Sequence, residues 1–370
     1  MVKNSPPNDW MGFKISDLCK KRNYEKINSD LYIGLENIGQ GNNILISKGN
    51  TQDFKSAKNV FLKNDILYGK LRPNLNKVWL ATENGYCSTE IIPLITNEKI
   101  LPEILLYSLL KQDFVSYAIS SSFGTKMPRV DFSIVGNFLI YLPEIDEQKK
   151  IVKNISDIDE LIDSLESLIQ KKKNIKQGAM QELLTGKRRL EGFIGEWDTK
   201  ELEKITTIRK GELITEKTRI DGSIPVIGGG KTSSYSHNSA NRKKNTITIS
   251  ASGANAGFVS FHKSPIFASD CSTIDENTTF SIKFIYYQLL RLQKNIYYLQ
   301  TGGAQPHIHP KDLYSLKIPI PKDIDEQYFI SNILSDMDYE IEQLETQKEK
   351  YTNLKQAMMQ KLLTGEIRLV

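Results

Sequence analysis

Ile151, Ile155, Ile158, Ile162, Leu165 and Ile169 recur at steps of four, three, four, three and four, the period of a helix that presents one apolar seam to a partner helix. Charged and amide side chains fill the positions between them. Ile330, Leu334, Met337, Ile341 and Leu344 repeat the seam late in the chain, and Lys348 interrupts it before Tyr351 and Leu354 resume it, so the distal turns are expected to pack less tightly. Asp146 with Glu147, and Asp325 with Glu326, fall in the first turns, where the positive helix end favours acids. Gly186 and Gly365 stand where a C′ glycine ends a helix. Each helix so bounded runs about 40 residues, roughly 60 Å.

The two helices are copies. Residues 145–190 align without gaps on 324–369 at an offset of 179, and 23 of the 46 pairs are identical. The borders match best: Ile145-Asp146-Glu147-Gln148 returns as Ile324-Asp325-Glu326-Gln327, and Leu183-Leu184-Thr185-Gly186 as Leu362-Leu363-Thr364-Gly365. An apolar stripe of this length needs cover, and the nearest complement is its twin on the same chain. The expectation is an antiparallel pair with the globular parts at opposite ends; a coiled coil between two copies of the chain is the alternative.

A mixed segment precedes each helix, opening on Asp9-Trp10 and on Glu196-Trp197. Short β-type runs such as Val60-Phe61-Leu62 and Thr246-Ile247-Thr248-Ile249 alternate with glycine-rich turns, while 101–110 and 284–292 read as short helices. The predicted class is α+β: two small mixed α/β domains, 1–142 and 187–320, and two long helices, 143–186 and 321–370, related by an internal pseudo-two-fold repeat. Little else matches between the heads beyond Cys87-Ser88-Thr89 against Cys271-Ser272-Thr273, and 124–130 against 302–308. Shared frames hold different contents.

The loops that mix cations, amides and glycine are the candidate contact surfaces. Lys70, Arg72, Asn74 and Lys77 lie in one tract of the first head, with Lys126 and Arg129 around a second glycine turn. Lysine and arginine pair with phosphates, and asparagine can bind an adenine edge. The second head offers Lys231 and Ser233 in a glycine-rich stretch that runs to Ser234, then Arg242-Lys243-Lys244, Asn255, Gln305 and His307. Each residue taken singly reads first as a solvated loop or turn; the clusters carry the reading.

A net charge of +5 over 370 residues suits a polyanion without requiring one, and the length accommodates two cores. Cys19, Cys87 and Cys271 form no C-x-x-C pair, which argues against a zinc site or a disulfide framework and for a reducing cytoplasm. No apolar run approaches a membrane span or a leader. Catalytic patterns are also wanting. Ser5-Pro6-Pro7-Asn8 lacks the ring that would stack a flipped adenine. Gly230-Lys231-Thr232 meets Pro225 where a phosphate loop needs glycine, and His307-Ile308-His309, a geometrically possible ligand pair, comes without a paired carboxylate motif or a cysteine and reads as a turn that exposes two polar rings. No catalytic residue is assigned.

Domain, long helix ending Leu-Leu-Thr-Gly, domain, long helix ending Leu-Leu-Thr-Gly: this order resembles the specificity subunits of type I restriction-modification systems over essentially the whole chain, and 71–77 looks like a tract of their recognition domains. The resemblance implies a non-enzymatic, double-stranded-DNA-binding subunit whose two target-recognition domains each read half of an asymmetric bipartite site, with the helices fixing the unread spacer. It also implies two methylation subunits and two restriction/motor subunits as partners, and no membrane. S-adenosylmethionine, ATP and Mg would belong to those partners and none to this chain. Docking of the methylation subunits would involve the helix ends, where Gln177, Met180, Leu183, Leu184, Gln356, Met359, Leu362 and Leu363 are the candidates, with packing inside the helix pair as the other reading of each. The rivals from other classes are the recognition part of a DNA methyltransferase-nuclease and a scaffold that binds protein.

Overall fold

The computed structural model describes residues 6–53, 57–214, 218, 220–233, 235–277 and 279–369; Ser5 and Ser234 lie outside them. The chain divides into two compact units, Met1–Leu165 with Gln347–Val370, and Glu166–Thr346. The long helices span Ile145–Leu183 and Ile324–Leu362, so each unit combines one head with a part of both helices. No helix among the described residues is long and apolar enough to cross a membrane.

The first head holds a four-stranded antiparallel sheet in the order Cys19–Lys21, Ile91–Thr96, Ile66–Gly69, Val78–Leu80. A second sheet has the order Gly49–Asn50, Leu31–Ile33, Gly85–Ser88, Lys58–Phe61, its middle pair parallel. Met11–Lys14 and Leu139–Leu142 form a separate ribbon, with Met11 opposite Leu142. The second head repeats the plan: a four-stranded antiparallel sheet (Ile208–Lys210, Cys271–Asp275, Thr246–Ser250, Val259–His262), a three-stranded one (Ser236–His237, Ile224–Ile227, Phe267–Ala268), and the ribbon of Trp197–Glu201 with Lys317–Pro321. Paired short helices cover each head, Pro102–Leu110 with Gln112–Ser120 and Ile282–Arg291 with Gln293–Tyr298.

The seam packs as its spacing requires. In the first unit Ile151 and Ile155 are buried with Leu362 and Leu363 in the head's own core; in the second, Ile330 and Leu334 are buried with Leu183 and Leu184. Ion pairs across the helices give the direction. Lys172 meets Glu340 and Lys176 meets Asp338 in the second unit, and Lys355 meets Asp159 in the first. Within the second unit the numbers on one helix rise as those on the other fall, so the strands of the pair are antiparallel. Past the break at Lys348, Leu354 is 43% exposed.

The repeated tetrapeptides now have physical roles. Gln148 is buried; its amide oxygen accepts from the Leu101 amide at 3.0 Å and its Nε2 donates to the carbonyls of Lys99 and Pro143. Gln327 repeats this on Ser281 and Pro321. Each glutamine therefore ties the start of a head helix to the start of a long helix. The glutamates clamp an arginine downstream of the partner helix: Glu147 takes Nε and Nη2 of Arg368 at 2.8 and 2.7 Å, and Glu326 takes those of Arg189 at 2.7 and 2.8 Å. Gly186 and Gly365 have φ of +70° and +74°. A Cβ there would lie 3.2 Å from the Trp197 ring and 2.4 Å from Cγ of Pro7, so backbone sign and space both select glycine.

The Arg368 guanidinium holds the Glu147 carboxyl below its ordinary range, and that of Asp9 likewise. A depressed folded value means that the unfolded chain binds the proton more readily, so this stabilisation is present above the ordinary carboxylate value and is lost as pH falls below it. Glu147→Gln should therefore give a flatter loss of thermal stability below about pH 4.5 than the parent chain. Superimposable acid profiles from calorimetry would contradict the clamp.

Candidate nucleic-acid interface

In the first head, strand Ile66–Gly69 runs into 70–77, where Arg72 and Asn76 adopt left-handed φ of 51° and 40° around a one-turn helix, Pro73–Leu75. The loop 121–130 docks against it: the Arg72 amide donates to the Pro128 carbonyl at 2.8 Å, and that of Val130 to Lys70 at 3.0 Å. The second head builds the same junction from different residues. Gly253–Asn255 is the one-turn helix, with left-handed Gly253 as its first residue and left-handed Gly257 beyond its end, and the amides of Gly253 and Ile308 donate to the carbonyls of Pro306 and Ala251. The structure thus brings together loops about 50 residues apart in each head, and it sets Asn74 and Asn255 at corresponding places on the turn.

Around these junctions Arg72, Asn74 and Lys126 are exposed and Lys70 is half-buried. Lys77 is half-buried, with its ammonium donating to the Leu35 carbonyl. Arg129 forms a two-point pair with Glu90. In the second head Lys231, Ser233, Lys243, Lys244 and Gln305 are exposed, while Asn255 and His307 are half-buried. The Lys231 ammonium lies 5.5 Å from the centre of the Phe258 ring, and the Ser233 hydroxyl donates to Tyr235. The glycine stretch joins the junction directly, since Gly229 accepts from the Ser250 hydroxyl.

Arg242 departs from the expectation. Its side chain is buried and its guanidinium donates to the Thr273 hydroxyl and to the carbonyls of Asn241 and Lys210. It braces strands and presents nothing outward, unlike its neighbours Lys243 and Lys244. A second correction concerns the helix ends: Leu183, Leu184, Leu362 and Leu363 are buried in the heads' cores, so their side chains are not surface for a partner. Gln177 and Gln356 are exposed, and Met180 and Met359 half-buried.

Glu90, Arg189 and Arg368 hold junctions that the sequence reading did not single out, while Glu147, Glu326, Gln148 and Gln327 stood there only as first-turn acids and matched borders. Identity between the two copies could have found all but Glu90. The three cysteines are free and buried, and burial pushes the thiols of Cys19 and Cys271 up to about 12, which leaves them unreactive. No group of three or more His, Cys, Asp or Glu among the described residues is placed to hold a metal ion.

Each head, together with most of the long helix that follows it, is matched by one family model. The type I restriction modification DNA specificity domain matches at residues 7–177 and again at 194–351. The chain belongs to this family. Its relatives are named as specificity subunits: that of the type I restriction enzyme MjaVIII of Methanocaldococcus jannaschii is 26% identical, covering 98% of this chain and 94% of that protein. The specificity subunit of Escherichia coli EcoDI is 30% identical across 31% of this chain and 25% of its own length. Among solved structures, a type I restriction-modification S subunit from M. genitalium superposes with a TM-score of 0.70 at 20% identity, covering 97% of this chain and 99% of that one. This likeness shows a common fold. This chain is thus a type I specificity subunit, with two recognition domains and helices paired antiparallel within each unit.

Proposed function

We propose that the chain is the non-catalytic, sequence-reading part of its complex: each head reads one half of an asymmetric bipartite site in double-stranded DNA, and the helices set the unread interval. Two methylation subunits would dock beside Gln177 and Gln356 and transfer methyl groups from S-adenosylmethionine to adenine N6, and two restriction/motor subunits would cleave unmodified DNA with ATP and Mg. These cofactors sit on the partners.

The observation that supports this reading is the pair of corresponding junctions with different side chains. Arg72, Asn74, Met127 and Arg129 in one head stand where Gly253, Asn255, Gln305 and His307 stand in the other. Identical heads would suit a palindromic site, and unlike heads suit two different halves. The exposed lysines 126, 231, 243 and 244 supply phosphate contacts around them.

Binding of a specific duplex by the chain with its methylation subunits should weaken with salt. Replacing those four lysines by alanine should make the slope of log affinity against log salt shallower by about 3 to 4, near 0.9 per lost contact, with the recognised bases unchanged. A slope that does not move would place the phosphate contacts elsewhere.

A further inference from the structure

Among the described residues, Arg129 is the one cation of the first head's junction held by a carboxylate. Its Nε donates to Oε2 of Glu90 at 3.0 Å and its Nη2 to Oε1 at 3.4 Å, a side-on pair, while Nη1 reaches the Met127 carbonyl at 3.3 Å. A guanidinium has five N–H donors. Three are engaged, which leaves one on each Nη nitrogen at the outer end of the group. The side chain is 35% exposed, so part of it meets solvent.

Both partners are fixed by backbone as well. The Arg129 and Phe123 amides exchange hydrogen bonds with each other's carbonyls at 2.9 and 3.0 Å, the Glu90 carbonyl accepts from the Lys70 amide at 2.9 Å, and the Glu90 amide donates to the Ser88 hydroxyl. An arginine that met only phosphate would gain from mobility and uncompensated charge. Here the charge is offset by Glu90 and the rotamer is set before any ligand arrives, which favours a contact decided by donor geometry. Two donors on the end of a guanidinium match the O6 and N7 acceptors of guanine in the major groove, and no other base presents two acceptors there.

We propose that Arg129 reads a guanine in the half-site of the first head and that Glu90 is the positioning residue that aims it. The inference rests on the DNA-reading function above and adds a base to it. The second head carries His307 at the corresponding bridge, so this arginine contact has no counterpart there.

The test is adenine-methylation mapping with the full chain co-expressed with its methylation subunit, for the parent, Arg129→Ala, Arg129→Lys and Glu90→Gln, with thermal melting of each as the folding control. The parent motif should contain a guanine at one position of one half. Arg129→Ala and Arg129→Lys should relax that position alone, discrimination falling roughly tenfold to a hundredfold. Glu90→Gln should keep the guanine preference at reduced discrimination and steepen the salt dependence of binding, because the freed guanidinium then also meets phosphate. An Arg129→Ala complex that melts like the parent and methylates the unchanged motif more slowly would overturn the assignment. A parent complex with no bipartite motif would overturn the function itself and this inference with it, so the two failures are distinct.

Discussion

Arg189→Ala is expected to lower the melting temperature of the second unit by roughly 6–12 °C. The Glu326 side chain is 1% exposed, and its carboxylate is shared between Arg189 and the indole N–H of Trp197 at 3.3 Å. Removing the guanidinium leaves a carboxylate in the interior with one neutral donor. Breaking a buried pair on one side costs about 3 kcal/mol or more, and each kcal/mol corresponds to about 2–4 °C for a unit of this size. The double variant Arg189→Ala with Glu326→Ala should recover part of the loss, since no unpaired charge then remains. Calorimetry of the three variants separates the outcomes: an unshifted Arg189→Ala transition would mean that Glu326 is satisfied without its arginine.

Leu184→Ala should cost the free chain about 3 kcal/mol, within the usual span for a leucine truncated in a core that cannot collapse. Leu184 is fully buried among Leu202, Phe284 and Leu334, and its carbonyl accepts from Nε2 of Gln288 at 2.7 Å. Gln177→Ala, on an exposed face, should leave the free chain within about 0.5 kcal/mol of its parent and weaken capture of the methylation subunit. Urea unfolding of the free chain together with co-purification decides between core and docking surface. If Leu184→Ala leaves the urea midpoint alone and abolishes capture, the leucine serves the interface.

Which parts of this were legible in the sequence follows from the range of the forces involved. The helices were, because a seam of period 3.5 and a terminal glycine are local signals, and because the copy doubled the evidence for each border. The two heads were legible as a class and as a shared frame, but the pairing of 70–77 with 121–130 depends on backbone bonds between distant segments that no local pattern records. Arg242 shows the limit most clearly. Arg242-Lys243-Lys244 looks like a solvated basic run, yet a bridge to Ile266 turns the arginine inward onto Thr273 and Lys210, while the two lysines remain outside. Leu183-Leu184 and Leu362-Leu363 misled for the opposite reason: an apolar pair at a helix end suits a docking partner, and here the core of each head extends down to meet it. Glu90 gave no signal, since its role depends wholly on Arg129, 39 residues away.

The central claim is that two unlike heads on one chain specify a split DNA site. Single-molecule sequencing of host DNA for N6-methyladenine, with and without this chain beside its methylation subunit, tests it most directly. The account predicts a motif of two different halves separated by a constant unread gap, present only when the chain is present. A continuous or palindromic motif, or methylation that persists when the chain is deleted, would contradict it.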